Sequence, residues 1–333
     1  MAIVISKNSA LNDDFWKPIG QVVNAVMADA DAEKSNYDAI VKDLAIEKKS
    51  DKYAEKQTGL TTLSSFSAKD EGDKAELDDM QETFPKIIVH DTYSKSVAIT
   101  KEMADDAQFD DIKAVAKNLV LAAKRTRAEL ATKALVTEGS TFLMGGKSLD
   151  KTTGDGLALF STSHLAKKSG VGTQSNVFTN AFSADVLFAL ANVLRNFKSD
   201  SGEVTGFTAN KLIIPGNCPA LEKAAKTLIS SELEPGTNHN DVNIQKGVWT
   251  LVVDPLWQAA PNTAPYIIMS DEANKAYNGT VFYDRTALDI QNDIDIDSRN
   301  LKYNGFMRIS CGFNNWRHVL LGGATAGTEL SLS

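Results

Sequence analysis

The residues of this 333-residue chain that could do chemistry are few and scattered. His164 stands beside Ser161 and Ser163, a grouping that would suit a hydrolase in which an imidazole activates a serine hydroxyl. No G-x-S-x-G elbow presents that serine, and triads are assembled by the fold rather than by neighbours in sequence. The histidines, His90, His164, His239 and His318, are dispersed, with no H-x-x-x-H pair for zinc. Gly145-Gly146-Lys147-Ser148 ends like a phosphate-cradling loop. Thr141 holds the place of its first glycine, and a helix rather than a strand precedes it. Asp293, Asp295 and Asp297 begin like a calcium loop, but Ser298 replaces the required glycine and Asn304 the closing glutamate. Cys218 and Cys311 lack a C-x-x-C partner and read as reduced, buried thiols. The expectation is no catalytic residue, no cofactor-binding residue, no cofactor and no metal ligand, with a hydrolase using His164 as the enzyme alternative.

Composition narrows the class. The chain is 43% hydrophobic and 23% charged, ordinary for a folded soluble protein, with a formal net charge of −8. A protein that grips nucleic acid over a broad face carries the opposite balance. The N-terminal MAIVISKNSALNDDFW has too short an apolar run for a secretory signal, and no stretch approaches the roughly 20 apolar residues of a membrane helix. The protein is expected in the cytoplasm, without a membrane partner.

The elements that would position any site read as follows. Residues 1–58 are polar and helix-prone, with a thin apolar stripe of Val22, Val26, Tyr37, Ile40, Val41 and Leu44, and form an arm that packs on something else or is partly disordered. Residues 59–83 are acidic: Asp70, Glu71, Asp73, Glu76, Asp78, Asp79 and Glu82 outnumber Lys69 and Lys74, as in a solvated loop. Ile87, Val89, Tyr93, Val97 and Ile99 alternate with polar residues at a strand period, placing His90 on the polar, surface side. Together these stretches make a long β-excursion. The longest helix runs from Asp110 to Thr137, with Asp110 or Asp111 as cap, Gly139 past its end, and Lys113, Lys117, Lys124, Arg125 and Arg127 on its outer surface. Residues 139–182 are a Gly/Ser/Thr-rich loop around the apolar island GLALFSTSHL, and Ser183 caps a helix over 184–197. Lys211–Pro215 is a buried strand, Pro219 opens a helix with Asn217 ahead as a possible cap, and VWTLVVDP is a second buried strand. YIIMS, VFYDRT and DIQNDIDID follow as strands, Asn304-Gly305 as a turn, then FMRISCGF and WRHVLLGG as strands before a frayed tail.

Taken in order, the excursion ending KIIVHDTYSKSVAITKEMADD, the long helix, GLALFSTSHL, KLIIPGNCPALEKAAKTLIS with VWTLVVDPLW, and the closing IDIDSRNLKYNGFMRISCGFNNWRHVLLGGA resemble the major capsid proteins of tailed phages. Within that group the resemblance is to the Mu-like major head subunits, and it covers residues 59–323. It implies an α+β chain of the Hong Kong 97-type capsid fold. On that template residues 1–58 are the N-terminal arm and 59–103 the extended β-loop. Residues 104–182 are the peripheral domain with its spine helix, 183–300 the axial domain, and 301–333 the return strands and C-terminal tail. It also implies a structural head protein rather than an enzyme, which assembles through pentamers and hexamers into an icosahedral shell of the virion. That shell is built in the host bacterial cytoplasm with scaffold, portal and decoration partners, and encloses double-stranded DNA without sequence-specific binding. An encapsulin-like compartment shell is the alternative within the same fold. The acidic loop 69–82 is expected to meet Lys124, Arg125 or Arg127 of a neighbouring subunit.

Overall fold

The computed structural model of the protein describes residues 3–331, apart from 60, 64, 76, 78, 79, 81 and 234–241. In chain order its elements are β1 (Val4–Asn8), α1 (Lys17–Ala32), α2 (Asn36–Leu44), β2 (Ile46–Lys49), β3 (Ala54–Gln57), β4 (Lys86–Val89), β5 (Asp91–Ile99), α3 (Lys101–Asp105), α4 (Phe109–Val136), β6 (Thr141–Met144) and β7 (Lys147–Asp150). There follow β8 (His164–Leu165), β9 (Thr173–Gln174), α5 (Ala184–Arg195), β10 (Lys211–Pro215), α6 (Pro219–Ser230), β11 (Thr250–Asp254), β12 (Tyr266–Met269), α7 (Asp271–Tyr277), β13 (Thr280–Ile294), β14 (Leu301–Phe313) and β15 (Val319–Gly322). The chain divides into two compact units, one of Met1–Glu55, Val89–Ala131 and Phe282–Cys311, the other of Lys56–Ile88, Thr132–Val281 and Gly312–Ser333. No helix among the described residues is long and apolar enough to cross a membrane.

The first unit is built on β13 and β14. β5 pairs antiparallel with β14 from Leu301↔Ile99 to Ile309↔Asp91, and β1 runs parallel to β13, which β2 also joins. VFYDRT and DIQN, read from sequence as separate strands, are one strand, β13; Asp295 and Asp297 fall in the turn beyond it. Asn304-Gly305, read as a turn, lies inside β14 opposite Ser96 and Lys95. The glycine serves packing there, since a Cβ on Gly305 would meet Leu288 Cδ1 at 3.2 Å and Leu119 Cδ1 at 3.6 Å. Leu119 belongs to α4, which has neither Gly nor Pro in its 28 residues. Ile112, Ala116, Leu119, Val120 and Ala123 recur at helical spacing and are buried. The helix starts at Phe109, so Asp110 and Asp111 lie in its first turn, where they suit the helix dipole, rather than at the cap.

The second unit holds the sheet β11-β10-β12-β15, in which β10 is parallel to β11 and antiparallel to β12. Its central strands are buried on both faces, which is why KLIIP and YIIM read as unbroken apolar runs. The parallel pair β10 and β11 is joined through α6, which packs on β11, while α5 packs on β15. Pro219 sits at the start of α6 as expected, but Cys218 rather than Asn217 holds the cap position. Asn217 instead brackets Ala259, donating to its carbonyl and accepting from its N–H, each at 2.9 Å. Ser183 caps α5 by accepting from the Val186 N–H at 3.2 Å. The chain beyond Ala324, expected to fray, is held: Thr328 N–H donates to Val177 O at 2.9 Å and Leu330 N–H to Asn180 Oδ1 at 2.8 Å.

Candidate functional site

His164 is the residue on which an enzyme would depend. Its ring is fully buried, stacked on Trp316 with centroids 4.4 Å apart, and both nitrogens are taken. Nδ1 lies 2.7 Å from Asp155 Oδ2 and Nε2 3.2 Å from the Leu159 carbonyl. The same carbonyl accepts from Asn176 Nδ2 at 2.8 Å, and Asn176 Oδ1 accepts from the Ser161 N–H at 2.9 Å. The Ser161 hydroxyl accepts from the Ser163 N–H at 3.3 Å. A general base needs a nitrogen within reach of its nucleophile. This imidazole offers both of its nitrogens to other groups, so it pins the loop around Leu159. Asp155 works with it: burial raises the carboxyl pKa, but His164 and the Thr153 hydroxyl outweigh that and hold it below the usual carboxylate range.

The other motifs resolve as structure. Gly145 and Gly146, with φ of +58° and +83°, form the two-residue turn of the β6–β7 hairpin, and Leu143 pairs there with Ser148 and Met144 with Lys147. Asp293 pairs with Lys7 and Asp295 with Lys302. Among the described residues no group of three or more His, Cys, Asp or Glu side chains is placed to hold a metal ion. Cys311 is buried as expected, while Cys218 is only half-buried; His239 lies outside the described residues.

Three residues read as surface groups are interior. His90 is buried, with Nε2 3.0 Å from the Ser50 hydroxyl and Nδ1 2.9 Å from that of Ser310, and Ser50 in turn donates to Glu55 Oε1 at 2.7 Å. Burial holds the His90 pKa below the usual imidazole value. Lys124 is fully buried and donates to Asp31 O at 2.9 Å and Glu33 O at 2.7 Å, beside Asp38 at 3.1 Å. Arg127 forks onto both oxygens of Asp284, reaches Glu47 Oε1 at 2.9 Å and lies over the Phe282 ring. Through these two cations α4 fastens the segment before Ser50 into its unit. Of the three helix cations proposed to meet a neighbour, only Arg125 stays exposed, beside Tyr37.

The surface contrasts with this closed interior. Residues 59–83 are pinched at a neck, where Gly59 N–H donates to Thr83 Oγ1 at 2.9 Å and Thr83 N–H to Gly59 O at 2.8 Å. From Thr62 to Met80 every described residue is exposed and none is in a helix or strand. Leu63, Phe66, Leu77 and Met80 project from it uncovered, with Asp70, Glu71 and Asp73 between them. Exposed apolar side chains gathered on one projecting segment mark an interaction site.

The comparisons with known proteins agree with a chain whose working parts are surfaces. Residues 83–321, more than half of the chain, match the model of the family described as "Phage capsid protein". The chain belongs to the phage capsid protein family. No curated protein matches it in sequence. Among solved structures it is similar to the capsid of a native GTA particle, at 12% identity and a TM-score of 0.54 over 87% of this chain and 90% of that one. It is also similar to a chain of Mycobacterium phage Patience, at 11% identity and a TM-score of 0.54 over 98% and 95%. The capsid of Ralstonia phage GP4 gives 12% identity and a TM-score of 0.52 over 84% and 86%. At these identities the structural likeness establishes the fold, an α+β chain of the capsid type. Family and fold together make this capsid protein a structural subunit of a virion shell, not an enzyme, and favour the head-shell reading over the compartment shell.

Proposed function

We propose that this capsid protein builds an icosahedral shell from pentamers and hexamers of itself, closed around double-stranded DNA. The observation that carries this is the Thr62–Met80 segment: it exposes Leu63, Phe66, Leu77 and Met80 and gives them no cover within the described chain. A single subunit gains nothing from that arrangement, whereas a shell buries it on each neighbour. Residues 59–103 then act as the extended loop, 104–182 as the peripheral domain with α4 as its spine, and 183–300 as the axial domain. Residues 1–58 act as the arm, and 301–333 supply the return strands and tail. The buried sheet β11-β10-β12-β15 with its helices supports the axial reading. The net charge of −8 suits enclosing DNA without binding it tightly, because like charge repels the phosphates. Assembly takes place in the host cytoplasm with scaffold, portal and decoration proteins. Of Lys124, Arg125 and Arg127, Arg125 is the one left exposed to meet a neighbour's acidic loop.

Negative-stain electron microscopy with sedimentation velocity on the same purified protein tests the reading. Closed shells, tubes, pentamers or hexamers are expected. A monomer or dimer at high concentration, unchanged when salt and scaffold are varied, refutes it.

A further inference from the structure

In the first unit, Lys124 and Arg127 fasten the N-terminal chain as far as Glu47, and the stretch from Ser50 to Glu55 is held in another way. Asp51, Lys52 and Tyr53 are exposed, and the chain turns back inward at Ser50, whose N–H donates to Asp284 O at 3.0 Å. The Ser50 hydroxyl donates to Glu55 Oε1 at 2.7 Å and accepts from the Lys52 N–H at 3.2 Å. Its remaining partner is His90 Nε2 at 3.0 Å, and on the other side of the ring Nδ1 lies 2.9 Å from the Ser310 hydroxyl of β14. These contacts fix every proton. A carboxylate only accepts, so the Ser50 proton points to Glu55; Nε2 must then carry a proton to reach Ser50, and bare Nδ1 accepts from Ser310. The chain Ser310–His90–Ser50–Glu55 closes only around a neutral imidazole. A second proton would have to go on Nδ1, against the hydroxyl that donates to it, inside a buried site. Arg285 of β13 and Arg308 of β14 oppose that charge, Asp91 of β5 and Glu55 of β3 favour it, and the Tyr283 ring packs edge-on at 5.9 Å. Burial outweighs the two acids and keeps the ring neutral below its ordinary range.

We propose that His90 is a proton-operated latch: neutral, it ties the Ser50–Glu55 stretch to β14, and on protonation it lets that stretch go. The linkage has one sign. The closed latch refuses a proton that an open, solvated imidazole takes at its ordinary value of 6.5, so opening becomes easier as pH falls below 6.5 and is unaffected above it. Glu55 does not reverse this, because the Ser50 hydroxyl holds its carboxyl below the usual range and it stays charged in mild acid. The N-terminal chain up to Glu47 keeps its hold through Lys124 and Arg127, so acid frees a short stretch and not the whole arm.

Amide exchange of the full chain at pH 7 and pH 5, corrected for the intrinsic rate, tests the latch. Residues 50–55 are expected to exchange at least about threefold faster at pH 5, and no more than about twenty-fivefold, the limit for an open imidazole titrating at 6.5. Amides of α4 should hold, and His90→Gln, which keeps an N–H for Ser50 but cannot titrate, should abolish the gain. A second arm keeps the test open should that variant unfold. Ser310→Ala removes the donor to Nδ1, so the midpoint of the His90 ring proton signal is expected to move up toward 6.5 and the gain at residues 50–55 to shrink. Wild-type residues 50–55 that exchange alike at both pH values, or α4 amides that loosen as much, overturn the latch. So does a folded His90→Gln variant that keeps the gain, or a Ser310→Ala midpoint that stays where it was.

Discussion

The Cβ that Gly279 lacks would fall 2.3 Å from Nδ1 of His318, closer than any real contact. The imidazole lies flat against that bare backbone, and its Nε2 reaches the Thr280 hydroxyl at 2.7 Å. The need is for space. Gly279→Ala is expected to lower stability by about 1–3 kcal/mol through overpacking, seen as a lower thermal midpoint. Combining it with His318→Ser should give a smaller loss than the sum of the two single changes, because the smaller side chain frees the room the methyl needs. Additive losses would show that the two residues do not share that space.

His318 also makes stability pH-dependent. It is fully buried, and burial pushes its pKa down to about 3 from an ordinary 6.5. The unfolded chain therefore binds a proton that the folded chain refuses. The folded state keeps its full contribution above pH 6.5 and loses it as pH falls toward 3, at up to about 1.4 kcal/mol per pH unit. Urea denaturation at pH 7 and pH 5 should show a steeper loss for wild type than for His318→Asn. Equal losses would contradict the buried neutral imidazole.

His164 holds a loop through Asp155 and Leu159, so its removal should be read in stability. His164→Ala strips a buried carboxylate of one of its partners, leaving Thr153 and the Leu157 N–H, and Trp316 of its stack, and a loss on the order of 1–3 kcal/mol is expected. Amide exchange should rise between Asp155 and His164. A variant with wild-type stability and unchanged exchange would show that the ring does not pin the loop.

The parts legible in the sequence were those where one pattern dominates. The apolar run of KLIIP, Pro219 and the apolar spacing of α6 gave the β10–α6–β11 unit, because burial on both faces leaves a strand no polar positions to confuse its reading. The failures share a cause: polar residues used inside. The alternation puts Ile87 and Val89 on the apolar face with Tyr93, Val97 and Ile99. In β4 the phase is off by one, so Ile87 and Val89 are exposed while Ile88 and His90 are buried, whereas Tyr93, Val97 and Ile99 of β5 do face inward. Two serine hydroxyls make the buried histidine acceptable, and neither is near it in sequence. Lys124 and Arg127 lie four and seven residues beyond buried Val120, in phase with the core stripe, and that spacing was the available signal. Their charge argued for solvent because the acids that receive them, Asp38, Glu47 and Asp284, are distant along the chain.

That commitment of Lys124 and Arg127 sharpens the charge-pairing test. Reversing Arg127 would break its fork onto Asp284 and so report on folding. Arg125 is exposed, and its guanidinium meets Tyr37 by a 3.3 Å hydrogen bond and a ring contact. Arg125→Glu is expected to leave subunit stability within about 0.5 kcal/mol and to weaken assembly more at low salt than at high, since exposed pairs are screened. Loss of assembly that is the same at every salt concentration would point away from an ion pair.

Phe66 separates folding from assembly most cleanly. At 105% relative exposure it has no packing to lose, so Phe66→Ser should leave the thermal midpoint of the free subunit unchanged. If the ring is buried on a neighbour in the shell, the serine forfeits that burial in every subunit. An aromatic side chain buries enough area that each contact should lose at least about 1.5 kcal/mol, or roughly tenfold in the concentration needed for assembly. Light scattering across a concentration series reads that threshold directly. A lowered midpoint would mean that the ring packs within its own chain, and an unchanged threshold would mean that the excursion does not grip its neighbour through Phe66.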